Sequence, residues 1–259
     1  MPGLSTSAIP TTSASDAARG LLLGIAGVVM FALSIPMTRL AGGSVQAPQL
    51  DPAFVAFGRA AVAGLLSVAY LAATGARRPR GPEWRLLALT AGGVVFGWPL
   101  LSGLALVVGF AAWRGAGGLE MADGLLLGAV VCASAGYVGG ARLSRGFSAE
   151  QVICWVLVIS LPITLPLALW TRPTAPVAPS AWAGFAYVSL VSMWIGFFAW
   201  YRGLALGGTL RVSQVQVLQP FLSMLFAVPL LGEKLDAMTV VFAAAVLAVV
   251  WLGKRQPVN

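Results

Sequence analysis

The 259 residues carry 9% charged side chains against 59% apolar ones and a net charge of +8, whereas soluble domains hold roughly 25% charged residues. That balance excludes a soluble catalytic domain. The chain has no histidine, and all eight carboxylates fall at expected helix ends or in loops, so general acid–base, metal and nucleophilic chemistry lack their usual groups.

Residues 1–18, rich in serine and threonine and without an apolar run, read as a disordered cytoplasmic tail. They do not read as a signal peptide, because the apolar stretch that follows is too long and lacks a cleavage-type end. A first helix is expected near 20–40, inside the 19 uncharged residues between Arg19 and Arg39. A second, near 52–74, opens at Asp51-Pro52 and contains Arg59 about two turns in. The basic, proline-rich stretch Arg77 to Pro82 marks a loop. The third segment, 85–113, has 28 uncharged residues between Arg85 and Arg114. At 1.5 Å per residue it would run to about 42 Å, longer than a hydrocarbon core of about 30 Å. It should therefore tilt or bend, between Gly97 and Gly103, where Pro99 interrupts the ladder. Further helices are expected near 122–142, 150–170, 181–203, 210–231 and 236–253, with Arg172 to Pro179 as a second proline-rich loop. Within a bilayer, helices satisfy their own backbone groups without closing into a barrel. The fold class expected is an all-α integral membrane protein with about eight transmembrane helices.

With the N-terminus inside, eleven lysines and arginines gather on the inner side and four on the outer, the positive-inside bias. Both termini are then cytoplasmic, in an inner-membrane, multi-pass topology. The basic charge reports that topology and contact with the lipid bilayer, not nucleic-acid binding. Cys132 and Cys154 fall in expected spans and read as small core residues. No cofactor or metal is expected, and a homodimer is compatible with the sequence.

Gly20-Leu-Leu-Leu-Gly24 is repeated as Gly124-Leu-Leu-Leu-Gly128, and Arg39-Leu40 as Arg142-Leu143. Trp84 through Gly103-Leu-Ala-Leu106 returns as Trp182 through Gly203-Leu-Ala-Leu206. Repeats of membrane-spanning length characterise transporters built from two related halves. The halves are unequal. Leu106 pairs with Leu206 at an offset of 100, yet Val107-Val108 best matches Val249-Val250 at an offset of 142. The 42-residue difference leaves Gly207 to Ala248 without a counterpart, so segment 85–113 reads as the start of a third helix joined to the end of a fifth. Three helices then stand against five, in inverted repeats over 19–114 and 120–255.

The motif Gln219-Pro220, followed by Pro229-Leu-Leu-Gly232-Glu233-Lys234-Leu235 and a helix ending in Trp251-Leu-Gly253, resembles the drug/metabolite transporter superfamily and, within it, the EamA-type exporters. Phe54 to Ala63, with Arg59 inside it, is similar to that family's second helix. The resemblance implies ten helices in two inverted five-helix repeats, with substrate handled between them. Here the first repeat lacks its counterpart of Gln219 to Glu233.

Several residues are candidates for a substrate pathway. Arg59 is a charge inside a span, where charges are costly and suggest function, although snorkelling or a structural pair would also explain it. Trp194, Phe197, Phe198 and Tyr201 recur at i, i+3, i+4 and i+7 and share a face. Such a wall suits an amphipathic small molecule, and helix packing or an interfacial belt is the alternative. Trp98 is the approximate repeat equivalent. Gln216, Gln219 and Ser223 share a polar face, and Pro220 lacks the N–H that would fill the Gln216 carbonyl. Interhelical hydrogen bonding would explain them equally. The reading is a transporter, an exporter of small metabolites such as amino acids, working by alternating access. The alternatives are a shortened, transport-incompetent membrane protein or partner subunit, and, with least support, an intramembrane enzyme.

Overall fold

The computed structural model describes residues 14–44, 46–101, 119–144 and 146–232. Seven described helices are long and apolar enough to cross a membrane: α1 (Ala14–Gly42), α2 (Pro52–Ala73), α3 (Gly81–Leu101), α4 (Leu119–Leu143), α5 (Ala149–Trp170), α6 (Pro179–Gly207) and α7 (Thr209–Leu231). The protein is an all-α integral membrane protein. The expected eighth helix, 236–253, lies outside the described residues. So do the end of segment 85–113 and its junction at Leu106. The first helix begins at Ala14, inside the stretch expected to be a tail, with Asp16 in its first turn where the helix dipole favours an acid.

Local chemistry sets the ends. The Asp51 carboxylate accepts the Ala53 N–H at 2.7 Å and Pro52 occupies the first turn of α2, where its missing N–H is harmless. Ser148 and Gln151 form a reciprocal capping box on α5. Gly208, at φ 82°, makes the abrupt turn between α6 and α7, a conformation that glycine adopts without steric cost. Arg77 donates to both Glu83 oxygens, at 2.9 and 2.7 Å, and to the Gly146 carbonyl, with its guanidinium 3.9 Å above the Phe147 ring. That one side chain ties the α2–α3 loop to the α4–α5 loop.

The helices pack in pairs. α1 lies along α6 and also against α7, α2 lies along α5, and α3 lies along α4. Glycines allow the α1–α6 seam to close. A Cβ on Gly203 would stand 2.8 Å from the Gly24 nitrogen and 2.9 Å from the Gly20 oxygen. Without side chains in between, dispersion contacts and small-residue packing hold membrane helices together.

Three helices depart from α geometry. α3 is π-helical over Gly92–Gly97 and α6 over Tyr187–Ile195, while α7 tightens to a 3-10 turn over Gln214–Leu218. The irregularity in α3 comes one turn before the expected Gly97–Gly103 bend. Pro99 lacks an N–H and its ring crowds the preceding turn. The ladder widens ahead of it, with the Trp98 N–H donating to the Gly93 carbonyl five residues back.

Candidate functional site

The structure divides the expected aromatic face of α6. Trp194 and Phe198, with ring centroids 4.9 Å apart, turn toward α2, where Tyr70 meets them at 6.1 and 5.4 Å. Phe197 and Tyr201 are buried on the other side, Phe197 packing 4.9 Å from Phe31 of α1. Trp194 lies within the π segment. Each i→i+5 bond there adds a residue to the turn and rotates Trp194 away from the face that a regular helix would give it.

A second group forms where α4, α6 and α7 meet. The Gln216 amide donates to Gln219 Oε1 at 2.6 Å and to the Tyr137 hydroxyl at 3.4 Å, and the Tyr137 ring lies 5.6 Å from Trp200. Tyr201, fully buried, sits against Gly140 of α4. Among the described residues, Gln216 Oε1, Tyr201 Oη and the indole N–H groups of Trp155, Trp194 and Trp200 are buried without a hydrogen-bond partner. Buried polar atoms are nearly always satisfied, and each orphan costs about 1–3 kcal/mol. Three of these atoms, Gln216 Oε1, Tyr201 Oη and the Trp200 indole N–H, belong to the group where α4, α6 and α7 meet.

The carbonyl of Gln216 is filled, contrary to the expectation from Pro220. The 3-10 turn brings the Gln219 N–H onto it, so the ladder shortens by one residue before the proline. Ser223 faces α1, where its hydroxyl donates to the Ala32 carbonyl at 2.8 Å. Pro36, four residues after Ala32, lacks the N–H that would have filled that carbonyl. Trp98 is 43% exposed on α3. Arg59 is partly buried in α2, on the same face as Tyr70.

Sequence reasoning missed Tyr70, Tyr137, Trp155 and Trp200 as members of these groups. Tyr70 was within reach, since it follows Arg59 by eleven residues and so shares its helical face. The pairing of Tyr137 with Gln216 depends on how α4 meets α7, which no local spacing encodes. Among the described residues no group of three His, Cys, Asp or Glu side chains comes together. The interior therefore offers hydrogen bonds, aromatic faces and one guanidinium.

The model of the EamA-like transporter family matches residues 120–253. An uncharacterised transporter of Bacillus subtilis (strain 168), YdeK, is 35% identical over 283 residues, covering 91% of this chain and 97% of the relative. The chain belongs to the EamA-like transporter family. A solved crystal structure shares the fold at 18% identity, with a TM-score of 0.60 over 90% of this chain and 95% of that one. The chain is a multi-pass membrane protein of this transporter family, whose partners are a small-molecule substrate and the lipid bilayer. The resemblance carried by Gln219 to Gly253 is thereby upheld.

Proposed function

We propose that this EamA-like protein exports a small metabolite, such as an amino acid or a related compound, across the inner membrane by alternating access. The observation that carries the reading is the group of buried polar side chains on α4, α6 and α7, in which Gln216 donates to the Tyr137 hydroxyl while Gln216 Oε1, Tyr201 Oη and the Trp200 indole N–H have no partner among the described residues. Gln216 lies in the 3-10 segment of α7, and α6 carries its π segment over Tyr187–Ile195, ahead of Trp200 and Tyr201. Such irregular turns recur at functional sites, because they sit between two helical registers. The helix pairing supports two inverted repeats. If α1, α2 and α3 correspond to α4, α5 and α6, a pseudo-two-fold rotation carries the α1–α6 contact onto α4–α3 and the α2–α5 contact onto itself. The π segments of α3 and α6 support it too, since they end at Gly97 and Ile195, the same offset that relates Trp84 to Trp182.

The test is flux in liposomes. Gln219→Leu and Trp194→Ala should lower export of a radiolabelled amino-acid pool without lowering the amount of protein in the membrane. Unchanged flux in both variants would remove these residues from the pathway.

A second reading is a shortened, transport-incompetent partner subunit. The alignment with YdeK runs over 283 residues, while 91% of this 259-residue chain is about 236. The difference of about 47 is close to the 42 residues by which the repeat offset changes. Inserting a 42-residue counterpart after Leu106 separates the readings. Flux that exceeds empty vesicles only after insertion favours the partner subunit.

A further inference from the structure

Arg59 is a charge in a membrane-spanning helix that no described residue balances. Among the described residues no ion pair or hydrogen bond reaches it. The acids with described side chains are engaged elsewhere: Asp16 stands in the first turn of α1, Asp51 caps α2, Glu83 pairs with Arg77, and Glu150 pairs with Arg202 at 3.4 Å. Around the α2 axis, Arg59 is turned away from the lipid-facing side. At 100° per residue, Val68 lies on the opposite side of α2 from Arg59 and Leu65 about 120° away, and these two are 46% and 51% exposed on the lipid side. Arg59 therefore points into the bundle, between Val55 and Ala63, which are 3% and 0% exposed. Its own face continues inward to Tyr70 and, through it, to Trp194 and Phe198.

We infer that Arg59 selects substrates carrying a carboxylate, with an apolar or aromatic body that the Tyr70–Trp194–Phe198 rings receive. This rests on the transport reading above and names the substrate class for it. A guanidinium in a low-dielectric interior binds a planar oxyanion through two parallel N–H bonds. The charge arithmetic selects a monoanion. One unpaired cation is neutralised by one carboxylate, whereas a dianionic phosphate would leave a buried negative charge unpaired. The described interior holds no carboxylate that would recognise an amine by ion pairing. The Arg59 head and the ring floor are separated by eleven residues of helix, or about 16 Å, so a small molecule meets them in succession as it crosses.

Binding to the detergent-purified full chain tests this without requiring transport. Calorimetry with acid and amide pairs, N-acetyl-phenylalanine against its amide and N-acetyl-leucine against its amide, keeps the body and removes the charge. The wild type should prefer the acid at least tenfold in one or both pairs. Arg59→Gln should bring acid and amide to equal affinity, and Arg59→Lys should keep the preference at a weaker level, because it retains charge but not the fork. Equal binding of acid and amide by the wild type, or binding of neither, overturns the inference. So does an acid preference that survives in Arg59→Gln. If the amides nonetheless cross liposome membranes faster with the protein than without it, the transport reading stands and carboxylate selection alone is lost.

Discussion

Pro36 and Ser223 form a unit that spans most of the chain. The proline leaves the Ala32 carbonyl without its helical donor, and the Ser223 hydroxyl supplies one from α7 at 2.8 Å. In a membrane the alternative is an unsatisfied carbonyl in hydrocarbon. Ser223→Ala should therefore cost about 1–2 kcal/mol, read as a lowered midpoint in thermal unfolding. In a Pro36→Ala background the residue at 36 regains an N–H that can fill Ala32. The same Ser223→Ala change should then cost less than half as much, and equal costs in both backgrounds would refute the coupling. Tyr201 behaves in the opposite way. Its buried hydroxyl has no partner among the described residues, so Tyr201→Phe should leave the unliganded protein as stable as before or slightly more so. A clear loss of stability would mean that the hydroxyl has a partner after all. The pairing of Ser223 with Ala32 was out of reach of the sequence, since 191 positions separate them and either could have bonded elsewhere.

At the scale of elements, the α1–α6 seam has the tightest tolerance. Gly203→Val would push a branched side chain into the Gly20–Gly24 backbone, which cannot yield as a flexible side chain could. Folded protein recovered from membranes should fall severely. Gly92→Ala is the control, because a Cβ there meets no atom within 4 Å among the described residues. That variant should be recovered at the wild-type level and match its melting point within about 1 kcal/mol of stability. If both variants survive equally well, backbone contact is not what holds α1 to α6. The same scale explains the divided aromatic face. The spacing of Trp194, Phe197, Phe198 and Tyr201 assumes 3.6 residues per turn, and the π segment of α6 breaks that assumption just where Trp194 stands.

For the whole molecule, the arrangement of loops yields a prediction of sidedness. The α2–α3 and α4–α5 loops, joined by Arg77, carry the basic residues and should face the cytoplasm. The α5–α6 loop should face outward. In a variant with Cys132 and Cys154 replaced by serine, a cysteine at Thr174 should react with an impermeant maleimide on intact cells. A cysteine at Gly75 should react only after permeabilisation. The reverse pattern would turn the topology over, and with it the direction assigned to export.

Class, family and the positions of three helices were written along the chain. Uncharged runs of about 20 residues admit only one solution in a bilayer, and α2, α5 and α7 begin and end within one residue of the expected 52–74, 150–170 and 210–231. Arg59 was visible for the same reason, as a charge interrupting such a run. The interior was not. Proline and glycine announced that the helices would be irregular, but the type of turn depends on what packs against it. The Gln216 carbonyl was filled by a 3-10 turn, and the Ala32 carbonyl by a distant serine. Which polar atoms find partners is a property of how α1, α4, α5, α6 and α7 meet. In a membrane that meeting follows from the shape of small residues and from hydrogen bonds across helices, because apolar periodicity carries no information when every side is apolar.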